Sequence, residues 1–267
     1  MPKLVMSPPL KEYAADWADT LTREIPESRV VLAEDEATLR RELPDADAVF
    51  GWVSPEMLPL ADRLRWMQAP MAAPAAGYYY PALVEHPVTV TNLRGVYNDH
   101  ISQHIFMYML ALARGLPDFI DAQRASRWDK QARQGRCVNL YDATALIVGV
   151  GGIGHETARL CRAFRMRVLG IDSRWEYETP GVERHEPAEL DGLLPQADFV
   201  IVTVPHTPET EGMWHAERFA RMKPGAFFIN IGRGATTRLD DLADALESGS
   251  LGGCGLDVYE TEPLPES

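Results

Sequence analysis

Gly149, Gly151 and Gly154 stand in the pattern GxGxxG between the apolar run Ala145–Val150 and an amphipathic segment carrying Ala158, Cys161 and Phe164 on one face. A second apolar run, Val168–Ile171, follows and ends at Asp172. The pattern predicts a strand, a tight turn, a helix and a second strand. The helix would begin at the turn, where unpaired N–H groups and the positive end of the helix dipole suit a pyrophosphate. Gly149 permits the turn, Gly151 with its neighbour Gly152 lets phosphates approach the backbone, and Gly154 lets the helix pack on the strand. Asp172 lies eighteen residues after Gly154. A carboxylate at that spacing accepts hydrogen bonds from an adenosine ribose, which favours NAD over the 2′-phosphorylated NADP. Ser173 and Arg174 keep the alternative open, because an arginine beside the ribose can pair with a 2′-phosphate.

The elements around this unit fall into two halves. Before residue 95 the β-type runs Lys3–Met6, Arg29–Leu32, Ala48–Val53, Leu64–Gln68 and Val88–Asn92 alternate with helix-like stretches such as Pro9–Glu24 and Glu36–Leu43. That alternation predicts a parallel sheet with crossover helices, without a glycine fingerprint after its first strand. Asp99 can cap a long, largely apolar helix running to about Leu116. The polar stretch Arg114–Asn139, anchored by Trp128, reads as an arm. Strands are expected again at Arg167–Asp172, Phe199–Val204, Ala226–Asn230 and Gly253–Asp257.

Composition narrows the function classes. The chain has 267 residues, 46% hydrophobic and 24% charged, with a net charge of −13. The charge argues against nucleic acid or an anionic membrane as partner, and the longest strongly apolar run, Ile105–Ala113, is about half of a membrane span. Cys137, Cys161 and Cys254 form no metal-ligand spacing, so no metal site is expected. Their odd number and the lack of a signal peptide point to the cytoplasm, with Cys161 a core residue.

Three further segments carry chemistry. They are Ala197–Thr210, containing Val204-Pro205-His206-Thr-Pro-Glu-Thr210; Met222–Gly234, containing Asn230-Ile-Gly-Arg233-Gly234; and Gly255–Pro263, containing Asp257-Val-Tyr-Glu-Thr-Glu262-Pro263. Each sets polar groups past the carboxyl end of a strand, where open α/β sheets bind ligands. With these residues in order, the chain closely resembles the D-isomer-specific 2-hydroxyacid dehydrogenases. The succession GxGxxG, VPxTPET, NxxRG, DVxxxEP is highly specific to that family.

The resemblance implies an α/β fold of two doubly wound parallel-sheet domains with the active site in the cleft between them. A flavodoxin-like substrate domain would span residues 1–98, and a Rossmann dinucleotide-binding domain, incomplete at its C-terminus, residues 99–267. It implies hydride transfer between NAD(H) and a small D-2-hydroxy acid or 2-oxo acid, of the glyoxylate or hydroxypyruvate type. Arg233 matches the arginine that clamps the substrate carboxylate, a role that suits a planar, permanently charged guanidinium. Glu262 matches the acid that pairs with the catalytic histidine and raises its pKa, with Glu260 a competitor. Asp257 matches the aspartate near the nicotinamide, and Ile153 the backbone contact to pyrophosphate. Val204, Pro205, His206 and Thr210 match the loop over the adenosine, and Ile231, Gly232 and Arg233 the segment beside the nicotinamide.

In the first half, the loop Gln68–Tyr80 stands where many relatives have a Ser-Ala-Gly-Val-Asp turn, and the N–H groups of Ala72 and Ala73 would cradle the carboxylate. Tyr97 and Asn98 could touch the substrate or serve packing and capping. Gln103 replaces the glutamate of the family's Ala-Glu-His helix entry, and Tyr97 stands where formate-type members have asparagine. The resemblance puts the proton-transferring histidine after one more strand, beyond Ser267. The natural protein is therefore expected to continue, and residues 1–267 alone to bind NADH weakly and turn over slowly, with His206 the first substitute. A homodimer through the long helix and the Arg114–Asn139 arm is expected. An NAD(H)-sensing protein of the corepressor type on the same fold is the competing reading.

Overall fold

Short apolar runs joined by helices can bury both faces of a sheet only if the strands run parallel and the helices cross over them. The computed structural model takes this form twice. It describes residues 1–72, 77–128 and 137–264, and the chain divides into Met1–Tyr97 and Asn98–Ser267.

In the first unit, β1 (Lys3–Met6), α1 (Ala14–Glu24), β2 (Arg29–Leu32), α2 (Glu36–Glu42), β3 (Ala48–Phe50), β4 (Trp66–Gln68), α3 (Pro81–Glu85) and β5 (Thr89–Thr91) follow in order. The strands are all parallel and lie as β2-β1-β3-β4-β5, the flavodoxin-like order. Val5, Val49 and Met67, each fully buried, meet Leu39 and Leu43 in the core. The Asp35 carboxylate accepts the Thr38 N–H at 2.7 Å and caps α2. The third strand stops at Phe50 rather than Val53. Gly51 turns the chain out of the sheet at φ +125°, and its carbonyl accepts the Tyr78 hydroxyl at 2.7 Å.

The second unit holds α4 (Asn98–Arg114), α5 (Leu116–Arg124), β6 (Thr144–Val148), α6 (Gly152–Ala163), β7 (Arg167–Ile171), β8 (Glu183–His185), α7 (Leu190–Leu193), β9 (Phe199–Val202), α8 (Ala216–Arg221), β10 (Phe227–Asn230), α9 (Leu239–Glu247) and β11 (Gly253–Leu256). Its six parallel strands lie as β11-β10-β9-β6-β7-β8, the Rossmann order with its reversal between β9 and β6. Successive residues of a strand face opposite sides. Ala145 and Ile147 therefore join Ile105, Met109, Ala158 and Cys161 on one face, while Leu146 and Val148 join Leu190, Leu194, Trp214 and Phe228 on the other. Burial pushes the Cys161 thiol up to about 12, which suits its place in the core.

Two further segments differ from the sequence expectation. The helix beginning near Asp99 does not reach Leu116, because Gly115 adopts φ +66° and separates α4 from α5. The start of the expected arm is α5 itself, with Leu116, Phe119 and Ile120 exposed along with Trp128. The β8 strand, of sequence Glu-Arg-His, carries no apolar alternation and was not foreseen. Among the described residues, no helix is long and apolar enough to cross a membrane.

Phe228 is fully buried, with ring centroids 5.0 Å from Trp214 and 5.2 Å from Phe219. Phe228→Ala is expected to cost about 3–5 kcal/mol of stability by opening a cavity in this cluster, measured by urea unfolding.

Candidate active site at the carboxyl edge of the second sheet

The register of the second sheet aligns the strand ends. Val148 pairs with both Ile171 and Val202, Val202 with Asn230, and Asn230 with Leu256. The next residues, Asp172, Gly149, Thr203, Ile231 and Asp257, therefore form one row across the sheet. Every site residue expected in this half lies in or just beyond that row.

Gly149 opens the row at φ +98°, a conformation that favours glycine. A Cβ on Gly154 would sit 2.0 Å from the Gly149 carbonyl oxygen, so the first turn of α6 rests on the glycine turn itself. Around a Cβ on Gly151, by contrast, there is nothing within 4 Å. Gly151 stands as N-cap of α6, and the first N–H groups of a helix, here Gly152, Ile153 and Gly154, have no intrahelical acceptor. The result is an open cradle of donors, the form a pyrophosphate fits. Asn98 leans on the same turn: a Cβ on Gly152 would lie 2.5 Å from its side-chain amide nitrogen.

Asp172 is fixed by the backbone around it. One oxygen accepts the Val150 N–H at 2.6 Å and the other the Arg174 N–H at 2.8 Å. A carboxylate has about four acceptor positions, so both oxygens keep capacity for ribose hydroxyls. Ser173 and Arg174 follow it, exposed.

After β9, the Thr203 hydroxyl donates to the Gly149 carbonyl and braces the glycine turn, a role not read from the sequence. The following loop is knotted by Thr210, whose hydroxyl accepts the Thr207 N–H at 2.8 Å and donates to the Pro205 carbonyl at 2.7 Å. His206 sits on this loop, 3.8 Å from the Glu211 carboxylate and partly exposed.

The loop after β10 hangs from one buried amide. Asn230, with no exposed surface, accepts the Gly232 N–H at 2.9 Å and donates to the Thr236 and Thr237 hydroxyls at 3.1 and 3.0 Å and to the Arg233 carbonyl at 3.3 Å. Sequence reasoning quoted Asn230 in a motif but gave it no role. A Cβ on Gly232 would meet the Val204 carbonyl at 2.5 Å, and one on Gly234 the Tyr259 carbonyl at 1.8 Å, so three loops touch backbone to backbone. Arg233 itself is exposed. Its Nη1 donates to the Gly232 carbonyl at 2.6 Å, and among the described residues no carboxylate lies within ion-pair distance.

Asp257 follows β11, its N–H bonded to the Asn230 carbonyl at 3.0 Å. His104 on α4 faces it, Nε2 to Oδ1 3.4 Å. The two candidate acids beyond it are each held through one oxygen. One Glu260 oxygen accepts the Leu239 N–H at the start of α9 at 2.8 Å, and one Glu262 oxygen accepts the Tyr259 N–H at 2.8 Å. Among the described residues no histidine lies within ion-pair distance of Glu262.

The substrate-side residues of the first half lie at the carboxyl end of that unit's own sheet. Ala72 is exposed in the loop after β4, Ala73 lies outside the described residues, and Tyr97 is exposed after β5.

Residues 106–267 match the family profile described as D-isomer specific 2-hydroxyacid dehydrogenase, NAD binding domain. The D-3-phosphoglycerate dehydrogenase of Synechocystis is 34% identical over 187 residues, covering 70% of this chain and 33% of that protein, so the chain spans a third of that relative's length. The glyoxylate reductase of Thermococcus onnurineus is 34% identical over 272 residues, covering 91% of this chain and 79% of the relative. Among solved structures, the D-isomer specific 2-hydroxyacid dehydrogenase of Xanthobacter autotrophicus, in complex with NADPH and MES, superposes with a TM-score of 0.83. It is 27% identical and covers 99% of this chain and 82% of that one.

The contrast between two glycines gives a test of the loop packing. Gly154→Ala drives a methyl into the Gly149 carbonyl and is expected to cost at least about 2 kcal/mol, while Gly151→Ala leaves stability within about 0.5 kcal/mol. Thermal unfolding of the two variants measures both.

Proposed function

The chain belongs to the D-isomer specific 2-hydroxyacid dehydrogenase family. From that premise we propose that it moves a hydride between NAD(H) and a small D-2-hydroxy acid or its 2-oxo acid partner, of the glyoxylate or hydroxypyruvate type. The observation that carries the reading is Arg233: its guanidinium has no acidic partner among the described residues, its backbone carbonyl is held by Asn230, and it follows β10 at the same sheet edge as the open glycine cradle after β6.

The dinucleotide supplies or accepts the hydride, and the chain's own residues do the rest. Arg233 binds the substrate carboxylate and polarises the neighbouring carbonyl, a pairing that a planar fork of donors orients as well as attracts. The N–H groups of Gly151, Gly152, Ile153 and Gly154 take the pyrophosphate. Val204, Pro205, His206 and Thr210 cover the adenosine, and Ile231, Gly232 and Asp257 line the nicotinamide end. Ala72, Ala73, Tyr97 and Asn98 keep the substrate-side roles that the resemblance assigns to them. Glu262 has one oxygen on the Tyr259 N–H and the other without a protein partner among the described residues. That second oxygen is available to hold an imidazole and keep its proton.

Asp172 supports NAD over NADP. Its carboxylate is locked in place by two backbone donors, so it cannot swing away from an incoming 2′-phosphate without breaking both. A homodimer is supported by the apolar residues on the exposed faces of two successive helices, Met107 and Leu110 on α4 and Leu116, Phe119 and Ile120 on α5, with Trp128 beyond. The odd cysteine count supports a reducing, cytoplasmic setting.

Reduction of glyoxylate or hydroxypyruvate, followed as loss of NADH absorbance, tests the activity. Arg233→Gln is expected to lower kcat/KM by about 10²–10³-fold while leaving the melting temperature unchanged. An Arg233→Gln enzyme of undiminished kcat/KM would remove Arg233 from the site. With one 2-oxo acid held saturating, the KM for NADH is expected below that for NADPH, and the reverse order would overturn the cofactor assignment. Light scattering at micromolar concentration is expected to give twice the chain mass, and a monomer mass would overturn the dimer.

A further inference from the structure

The end of β11 is held from the side by one face of α4. His104 and Tyr108 are one turn apart and both reach it. The Tyr108 hydroxyl donates to the Leu256 carbonyl at 3.1 Å, and its ring fills the space beside Gly255, where a Cβ would lie 2.6 Å away. Burial first, and then the Asp257 carboxylate, hold the Tyr108 phenol above its ordinary range, so it stays a donor. The His104 ring meets Tyr108 edge-on with centroids 4.7 Å apart, which fixes its plane, and its Nε2 lies 3.4 Å from Asp257 Oδ1.

That nitrogen is shut off from solvent and makes no hydrogen bond among the described residues. At 3.4 Å the carboxylate is too far for a well-formed bond and too near to be a bystander. A buried ring nitrogen left without a partner is costly, and Asp257 is the acceptor facing it. Asp257, in contrast, is about half exposed, at 53% of its side-chain surface, while its main chain is fixed to Asn230. Its carboxylate thus has one side against His104 and the other open to the carboxyl edge, in the same row as Gly149 and Asp172.

We propose that His104 is a positioning residue of the cofactor site: its Nε2–H holds one oxygen of Asp257 so that the other faces the nicotinamide carboxamide. This rests on the assignment of Asp257 to the nicotinamide end. The carboxamide NH₂ needs an acceptor, and a carboxylate can serve two donors at once. An unheld aspartate would have to give up rotamer freedom on binding; His104 removes that freedom beforehand. Binding then draws the 3.4 Å contact to bonding length, as polar contacts in unloaded sites commonly do. The neutral ring with its proton on Nε2 and the imidazolium both donate through that atom, so a neutral amide of similar reach can replace it.

The test is NADH affinity by fluorescence titration, with thermal unfolding of each variant alongside. His104→Phe keeps the ring packing on Tyr108 and loses the donor, and it is expected to weaken NADH about tenfold. His104→Gln restores a donor and is expected to stay within about threefold of the parent. In the Asp257→Ala background, His104→Phe is expected to add nothing, and in steady state the effect of His104→Phe falls on the KM for NADH rather than on kcat. If Asp257→Ala weakens NADH and His104→Phe does not, this inference fails while Asp257 keeps its role. If Asp257→Ala leaves the affinity intact, the assignment of Asp257 itself fails. Equal losses for the Phe and Gln variants, or a fall in kcat alone, overturn a positioning role for His104.

Discussion

The second unit depends on the direct contact of backbone with backbone at the carboxyl edge of its sheet. Gly154 rests on the Gly149 carbonyl, Gly232 on that of Val204, and Gly234 on that of Tyr259, each with no room for a Cβ. Loops usually keep their distance, because side chains hold them apart and their polar groups need water. Here they are drawn together, and polar side chains satisfy the backbone: Thr203 on the glycine turn, Thr210 on its own loop, and the buried Asn230 beneath Arg233. Removing a side chain at one point and satisfying the backbone at the next are two halves of one arrangement. It leaves Gly151 at the start of α6 open and the guanidinium of Arg233 without an acidic partner among the described residues.

Electrostatics at the site follow from the same arrangement. Asp172 is anchored by two N–H groups, whereas Glu260 and Glu262 are each engaged on one oxygen by a single N–H.

Much of the fold was legible because parallel strands buried on both faces are written as continuous apolar runs, such as Ala145–Val150 and Phe199–Val204. The polar strand β8 carried no such signal. The break between α4 and α5 is written in Arg114-Gly115-Leu116-Pro117, where the two residues that punctuate helices stand one residue apart. Of the site, the glycine turn and Asp172 could be read from local spacing, whereas roles for Arg233, Asp257 and Glu262 came from resemblance. Asn230 and Thr203 escaped because their partners are buried main-chain and hydroxyl groups brought near only by folding. The contact between His104 and Asp257 was hidden for the same reason, one residue lying on a helix and the other past the last described strand.

The registered row of strand ends also acts as a ruler. From Asp172 to Asp257 it crosses four gaps between neighbouring strands, roughly 19 Å at about 4.8 Å per gap. A ligand touching both carboxylates must be long and must lie across the strands; half of such a ligand reaches only one. Each half need bind only weakly, because attachment at one end raises the effective concentration of the other to the millimolar range. Length itself thus becomes a criterion of selection, set by the spacing of hydrogen-bonded backbones and by no side chain.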